Sequence, residues 1–390
     1  MSDDSGWDGI DRRHFITAAI GASAALAADT DPVNAQATTA PGGTIHTGDV
    51  IAGKKIISAL NIDDLEPGRK HAFYFQGVQT VTGQHWHVST MVAKGARPGK
   101  RIALVSGVHG DEISPVRMIQ TVMDRLNPAE MSGAVLAVLD VSRPAMEGMA
   151  RRWPNSGRGI DLIDLNREWP GNENGPTAPS RHAGILFNRL LKPNADYAID
   201  FHTSTSGYDI TAMHIARMDV PEVRAMAELF PIDQIFDNPA YPGVLANAFI
   251  DAGIPAFTPE IGAPRILDRD MIALFVEGTM NVLKHHGIIP GPMGRTGKDT
   301  GIFVANSAHA VFASSGGFVE LLVELKDKVT AGQKIAVQRN AFGEVVAEYS
   351  SGVTGEIVAY RTDATSEPGN MLATVLYNRT PSDGIDPLAE

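Results

Sequence analysis

A histidine and a glutamate three residues apart are the first candidates for chemistry in this sequence. His109 and Glu112 stand in the stretch RIALVSGVHGDE, residues 101–112, directly after a short apolar run. An imidazole and a carboxylate at this spacing can bind one zinc ion, and a catalytic zinc takes three protein ligands and keeps one position open. The same pair also fits a hydrogen-bonded pair at the start of a helix, so the remaining ligands must come from elsewhere in the chain.

Two further candidates stand at the ends of apolar runs that resemble strands. His202 follows such a run in YAIDFHTST, residues 197–205, and Glu260 does so in IPAFTPEIG, residues 254–262. Each residue alone is more typical of a hydrogen-bonded or solvated polar group. Together with the first pair they supply two nitrogens and one oxygen for zinc, and a separate carboxylate for proton transfer.

The elements around these residues predict an α/β fold. Residues 102–108 form an apolar run bounded by glycines, as in a strand that is covered on both faces. Residues 113–126 place apolar side chains near a 3.6-residue period, which predicts a helix with Pro115 in its first turn. Similar strands and helices alternate further along the chain, at 134–142, 181–191, 197–205, 244–253, 254–262 and 271–287. This alternation predicts a mixed, mostly parallel sheet flanked by helices, with the candidate residues at its carboxyl edge.

The length of 390 residues predicts more than one domain. Residues 41–290 contain the alternating pattern and every candidate site residue, so we expect the catalytic domain there. A linker rich in glycine and proline follows at 287–301, and short strands with glycine turns follow the linker. We therefore predict a small, all-β, barrel-like C-terminal domain at 300–390.

The first 40 residues have the features of a twin-arginine export signal followed by a linker. Arg12 and Arg13 precede an apolar run at 15–28, which is too short to span a membrane, and Ala-x-Ala sites follow at 25–27 and 35–37. We therefore expect export to the periplasm. A disordered tail with a chance arginine pair is the alternative, and the protein would then be cytoplasmic.

Composition restricts the partners and the metal ligands. A hydrophobic content of 43% and a charged content of 20% are ordinary for a soluble globular protein. A net charge of −12 argues against nucleic acid or an anionic membrane as the main partner, and a small molecule is the expected one. The chain has no cysteine, so His, Asp and Glu are the expected metal ligands.

Four motifs in order resemble the succinylglutamate desuccinylase/aspartoacylase family of the zinc carboxypeptidase superfamily. They are HGDE at 109–112, DLNREWPG at 164–171, DFHT at 200–203 and PEIG at 259–262, and the resemblance extends over about residues 45–380. It implies that one zinc ion is held by His109, Glu112 and His202. It also implies that Glu260 is the general base and acid of the reaction.

The resemblance assigns roles to the loop between the first two motifs as well. Asp164 would accept a hydrogen bond from His109, and Asn166 and Arg167 would bind the carboxylate of the substrate. Arg158 stands where the family tends to have an arginine that polarises the scissile carbonyl. A solvated basic surface is the alternative for this loop, and it suits Arg151 and Arg152 better than Asn166 and Arg167.

The activity implied by the resemblance is hydrolysis of the amide bond of a small N-acyl amino acid by metal-activated water. A zinc carboxypeptidase that acts on peptides is one alternative, and a binding protein with a catalytically silent zinc site is another. The C-terminal domain favours the deacylase, because in this family it narrows access to the site. Glu260 argues against a silent site, because a binding protein has no need of that carboxylate. The acyl specificity is expected in loop side chains, within 204–218 or around 264–269.

Overall fold

The computed structural model describes residues 42–154, 162–238 and 241–379, and its central element is a mixed β-sheet. The predicted export signal and Arg158 lie outside the described residues. Among the described residues the sheet has eleven strands, in the spatial order β1 (Ile45–Ile51), β2 (Lys54–Ala59), β3 (Arg69–Gln79), β4 (His85–Lys94), β6 (Ser132–Val138), β5 (Arg97–Val105), β7 (Tyr197–Asp200), β11 (Ala256–Ile261), β9 (Ala212–Ala216), β10 (Gln234–Asp237) and β12 (Phe303–Ala305).

The middle of this sheet is parallel and buried on both faces. Strand β5 runs parallel to β6 and β7, and β7 runs parallel to β11. Successive side chains of a strand point to opposite faces of its sheet. Accordingly Ile102 and Leu104 join one apolar cluster, whereas Ala103 and Val105 join another. The apolar run that follows Arg101 in the sequence is therefore explained by two cores, one on each side of the sheet.

Helices cover both faces of the sheet. The helices are α1 (Ser114–Arg125), α2 (Arg143–Glu147), α3 (Ala178–Leu186), α4 (Pro221–Ala227), α5 (Leu245–Asp251), α6 (Arg269–His285) and α7 (Gly297–Thr300). Apolar side chains of α1 and α6 belong to the first cluster, and those of α3 and α5 belong to the second. The predicted fold class, a mixed and mostly parallel sheet flanked by helices, is confirmed. No helix in the described ranges is both long and apolar enough to cross a membrane.

The C-terminal part consists of short antiparallel strands, as predicted. One sheet contains β13 (Ser307–Phe312), β20 (Met371–Tyr377), β18 (Gly355–Arg361) and β15 (Lys328–Val329). The other contains β17 (Val345–Ser350), β16 (Lys334–Arg339), β14 (Gly317–Leu321) and β19 (Thr365–Ser366). Strand β8 (Tyr208–Ile210) comes from the segment after His202 and pairs with β18. Strand β12, which lies within the predicted C-terminal range, pairs with β10 of the large sheet instead.

Candidate metal centre

Three neighbouring parallel strands bring the candidate residues to one edge of the large sheet. Val105, the last residue of β5, lies opposite Asp200, the last residue of β7. Just beyond β7, His202 forms an isolated bridge with Glu260 of β11. Because the carboxyl ends of parallel strands meet at the same edge, residues about 90 and 150 positions apart become neighbours.

The turn that carries the first pair of residues is tightly packed. A Cβ atom added to Gly110 would lie 2.0 Å from the carbonyl carbon of Ala145, so only glycine fits between this turn and α2. The chain then enters α1 at Ser114, with Pro115 in the first turn as predicted. This packing fixes the backbone between His109 and Glu112.

The side chains of His109, Glu112 and His202 converge in the interior. His109 Nδ1 lies 2.7 Å from Oε1 of Glu112, and His202 Nδ1 lies 2.8 Å from Oε2. The two Nδ1 atoms are 3.2 Å apart. All three residues are buried, and each offers one ligand atom within 4.8 Å of the others.

Each imidazole is held from behind by its own carboxylate. Nε2 of His109 lies 3.0 Å from Asp164, and Nε2 of His202 lies 2.9 Å from Asp200. A carboxylate accepts the Nε2 proton, so a neutral imidazole held in this way presents a bare lone pair at Nδ1. Two lone pairs and the Glu112 carboxylate then face one another, and only a proton or a metal cation between them makes this arrangement favourable.

The donor set fits zinc. Tetrahedral zinc with nitrogen ligands at ordinary bond lengths places two such nitrogens about 3.3 Å apart. The Nδ1 atoms of His109 and His202 lie 3.2 Å apart. Two imidazoles and one carboxylate are also a known ligand combination for catalytic zinc.

The charges of the three residues stabilise one another. Burial disfavours the ionised form of Glu112, but the two imidazoles outweigh this and hold the pKa of Glu112 below its ordinary value. Burial likewise opposes a charge on His202, but Asp200 and Glu112 raise the pKa of His202 well above its ordinary value. The pocket therefore favours a positive charge between these groups.

Glu260 lies beside this cluster but does not take part in its hydrogen bonds. The residue is partly buried, and its Oε2 atom is enclosed without a hydrogen-bond partner among the described residues. Burial raises the pKa of Glu260 to about 8, an effect that the charge of His202 opposes and that of Glu112 reinforces. A cation held by the ligands would favour the carboxylate form, because an opposite charge nearby lowers a carboxyl pKa.

Arg151 contacts this site, although the alternative of a solvated surface suited it better than Asn166 and Arg167. Its Nη1 donates to Oε1 of Glu112 (3.3 Å) and its Nε to Asp164 (3.2 Å). The side chain is 30% exposed, so the guanidinium connects the buried cluster to solvent. The alternative of a solvated surface does not hold for Arg151, because the buried carboxylate of Glu112 and the partly buried carboxylate of Asp164 fix its guanidinium. Arg158, which was predicted for the scissile carbonyl, lies outside the described residues.

Asn166 and Arg167 lie next to the cluster but face another segment. The Asn166 carboxamide is buried, accepts a hydrogen bond from the amide of Leu245 (2.9 Å) and has Nδ2 3.5 Å from His202 Nε2. Arg167 is exposed, with its guanidinium 5.2 Å from the ring centroid of Tyr241. The Arg167 guanidinium is therefore accessible, whereas the Asn166 oxygen already has a partner.

Asp200 and Asp111 were missed from the sequence, although both stand in the quoted motifs. Asp200 comes two residues before His202, a spacing that puts both side chains on one face of a strand, and that spacing could have revealed it. Asp111 is buried, and its Oδ2 accepts hydrogen bonds from the hydroxyls of Thr205 and Ser206 and from the Ser206 amide. Asp111 thus fixes the loop after His202, a long-range contact that no local pattern indicates.

Two comparisons of the sequence find related proteins. Residues 98–286 match the model of the succinylglutamate desuccinylase/aspartoacylase catalytic domain. The N-alpha-acetyl-L-2,4-diaminobutyric acid deacetylase of Halomonas elongata is 26% identical over 299 residues, which are 73% of this chain and 84% of that protein.

Solved structures share the fold at lower identity. The product-bound ectoine utilization protein EutE (DoeB) from Ruegeria pomeroyi gives a TM-score of 0.71 at 21% identity, over 80% of this chain and 98% of that one. The succinylglutamate desuccinylase/aspartoacylase from Rhodobacter sphaeroides gives 0.69 at 23% identity, over 81% of this chain and 98% of that one.

Proposed function

Because this chain belongs to the succinylglutamate desuccinylase/aspartoacylase family, we propose that it is a zinc-dependent deacylase. Its reaction would be hydrolysis of the amide bond of a small N-acyl amino acid. The observation that carries the proposal is the convergence of His109, Glu112 and His202 beside the unpaired carboxylate oxygen of Glu260.

One zinc ion would be held by Nδ1 of His109, Nδ1 of His202 and the carboxylate of Glu112. When bound, such an ion acts as a Lewis acid on the scissile carbonyl and makes hydroxide available near neutral pH. Asp164 and Asp200 support the binding, because each fixes the tautomer and the orientation of one imidazole.

Glu260 would carry the proton of the reaction. Its carboxylate would take a proton from the attacking water and deliver it to the nitrogen that leaves as the amine. An enclosed oxygen without a hydrogen-bond partner suits this role, because no competing contact has to be broken. Burial raises the pKa of Glu260, and a cation held nearby would lower it again. The surroundings can therefore bring this carboxyl group to the ionised form that a general base needs near neutral pH.

Arg151 is the described arginine best placed to stabilise the oxyanion that forms at the carbonyl oxygen when water attacks the carbonyl carbon. Its guanidinium already contacts Glu112 and extends toward solvent, from where the substrate must enter. Such electrostatic stabilisation is commonly worth a few kcal/mol. Arg158 stays a prediction for the same task. Arg167, which is accessible, would bind the substrate carboxylate through its bidentate fork.

A carboxypeptidase that acts on peptides is the second candidate, with the same chemistry in a more open cleft. The relative from Halomonas elongata is named a deacetylase of an acetylated amino acid, which favours the first candidate. Pairing of β8 with β18 also favours it, because the C-terminal part thereby borders the segment that follows His202.

A substrate panel on the zinc-loaded full chain tests this proposal. The panel would contain N-acetyl amino acids, including Nα-acetyl-L-2,4-diaminobutyrate, together with short unblocked peptides. Release of free amino acid from the acylated compounds, with peptides at least tenfold slower in kcat/KM, is the expected result. Faster cleavage of peptides would favour the carboxypeptidase, and no turnover with full metal loading would favour a silent zinc site.

A further inference from the structure

A loop after Glu260 is fastened to the segment that carries the first ligands. This loop, residues 263–268, is called here the downstream loop. The amide of Arg265 donates to the carbonyl of Asp111 (2.8 Å), and the hydroxyl of Ser114 donates to the carbonyl of Ile266 (2.8 Å). The downstream loop therefore lies against residues 110–114.

A second loop, residues 148–151, is fastened to the same segment and is called the upstream loop. The amide of Gly110 donates to the carbonyl of Ala150 (3.0 Å). At the end of the upstream loop, the guanidinium of Arg151 contacts the carboxylate of Glu112. Both loops thus border the ligand Glu112.

The two loops are also bonded to each other through strained residues. The Arg265 guanidinium donates to the Met149 carbonyl (2.6 Å). Arg265 has φ of 60° and Met149 has φ of 46°, a left-handed conformation that non-glycine residues rarely adopt. Backbone strain of this kind concentrates at functional sites, where the surrounding structure holds it in place.

Large apolar side chains are exposed on these loops. Met149 is 38% exposed, Ile266 is 49% and Leu267 is 54%, and we call these three residues the apolar rim. The side chains of His109, Glu112 and His202 are at most 4% exposed, whereas Arg151, which ends the upstream loop and contacts Glu112, is 30% exposed. The apolar rim therefore lies on loops that are bonded to the segment carrying Glu112, next to a partly exposed group of the centre.

The groups proposed to bind the amino-acid half of the substrate face a different segment. Arg167 packs on Tyr241, and Asn166 is bonded to Leu245. If the substrate carboxylate lies at Arg167, the scissile carbonyl lies at the metal centre. The acyl group would then extend from the metal centre toward the apolar rim.

We propose that the apolar rim binds the aliphatic chain of the acyl group, so that butanoyl to octanoyl substrates are preferred over acetyl substrates. This inference rests on the proposed deacylase function and names its substrate class. Burial of one methylene group is worth up to about a fourfold change in an equilibrium constant. Side chains that are about half exposed leave room for such burial.

The test measures kcat/KM of the zinc-loaded full chain for one amino acid carrying acetyl, butanoyl, hexanoyl or octanoyl groups. We expect the hexanoyl substrate to exceed the acetyl substrate by about tenfold, from partial burial of the added methylenes. In the double variant Ile266→Ser/Leu267→Ser this ratio should fall to about two or less. A matched control, Val81→Ser/Phe342→Ser, alters side chains that are 86% and 89% exposed elsewhere, and it should keep the wild-type ratio.

Several results would overturn the inference. One is a wild-type preference for acetyl substrates, and another is an unchanged hexanoyl-to-acetyl ratio in Ile266→Ser/Leu267→Ser. A third is a loss of kcat/KM in the double variant that is larger for N-acetyl-leucine than for N-acetyl-alanine, which would place the apolar rim against the amino-acid side chain. Sedimentation that shows a wild-type dimer and a monomeric double variant would assign the apolar rim to a second copy and also overturn it. In each of these cases the deacylase function survives, whereas absence of hydrolysis for every acyl group would refute both.

Discussion

At the residue scale, Glu112 contacts both imidazoles of the candidate centre and the guanidinium of Arg151. Its two carboxylate oxygens contact different imidazoles, and it also accepts hydrogen bonds from Arg151 and from the Thr203 amide (3.2 Å). Each imidazole has in addition a carboxylate of its own. The hydrogen bond that orients the His202 imidazole can therefore be weakened by a substitution at Asp200, with all three proposed ligands unchanged.

Asp200→Asn should lower zinc affinity by about 10- to 100-fold. The neutral amide holds the Nε2 proton less strongly, so His202 loses its fixed tautomer and some basicity at Nδ1. Competition with a chromophoric chelator measures the affinity. Asp219→Asn is the control, because Asp219 is exposed and pairs with Arg217 rather than with an imidazole. Equal zinc affinity in Asp200→Asn and the wild type would show that Asp200 does not support the ligand.

Glu260→Gln should keep its zinc and lose about 10²- to 10⁴-fold in kcat, the usual contribution of a general acid–base group. Glutamine has nearly the same shape but cannot accept the proton. Stopped assays on protein of known metal content give kcat, with Glu222→Gln at an exposed position of α4 as the control. A wild-type rate in Glu260→Gln would remove this residue from the mechanism.

The sequence allowed prediction of those site residues that stand in motifs at strand ends. Each of the four residues His109, Glu112, His202 and Glu260 follows or ends an apolar run. If these runs are parallel strands of one sheet, the four residues lie at the carboxyl edge of that sheet. Arg151 could not be assigned, because its two carboxylate partners lie 39 and 13 residues away and only the folded loop brings them together. The roles of these residues stay predictions.

At the scale of elements, strand β9 carries a histidine in an apolar core. His214 is buried among the rings of Phe230, Phe257 and Phe275, and neither ring nitrogen has a hydrogen-bond partner among the described residues. Burial lowers the pKa of His214 to about 3. The folded chain therefore holds this imidazole neutral at a pH where the unfolded chain protonates it.

His214 should make the protein sensitive to mild acid. The folded pKa lies below the unfolded value of 6.5, so the stabilisation is complete above pH 6.5 and is lost as the pH falls toward 3. At pH 5 the loss from this group is about 2 kcal/mol. His214→Leu should reduce the decrease in unfolding free energy between pH 7.5 and pH 5 by about that amount, as measured by urea denaturation.

The pH dependence, rather than the absolute stability, decides this prediction, because leucine also changes the packing. His202 and the buried His182 titrate in both proteins and cancel in the comparison. Identical pH slopes for the wild type and His214→Leu would contradict the neutral, buried state of His214.

Elements with strong local patterns were predictable, and elements that depend on a distant partner were not. The helix at Arg269–His285 shows a clear apolar period, and the structure has a helix there. Strand β8 has three residues and exists through pairing with β18, about 150 residues later. Such a strand has too few residues to show an alternating pattern.

At the scale of the whole molecule, the C-terminal strands are joined to the loop that follows His202. Besides the pairing of β8 with β18, the Thr362 amide donates to the Gly207 carbonyl (2.8 Å). The Arg361 guanidinium lies 5.6 Å from the centre of the Tyr208 ring and donates to its hydroxyl (3.3 Å). Since Asp111 holds the other side of this loop, Arg361 can act as a positioning residue for the centre.

Arg361→Met should lower kcat/KM by about tenfold, equivalent to about 1.4 kcal/mol of transition-state stabilisation, with zinc content unchanged. The loop would lose its contact at Tyr208, whereas the ligands keep Asp164 and Asp200. Steady-state kinetics with metal analysis measures both quantities, and Arg361→Lys should recover part of the loss. Arg339→Met, on the exposed side of β16, is the control. Kinetics equal to the wild type in Arg361→Met would show that the C-terminal strands do not affect the centre.

The most direct test of the account is a titration of the metal-free full chain with zinc, followed by amide hydrolysis. Activity should rise linearly to one zinc per chain and then level off. His202→Ala should bind no zinc at the same concentrations and stay inactive. Hydrolysis by the metal-free wild type, or one tightly bound zinc in His202→Ala, would contradict a centre built from His109, Glu112 and His202.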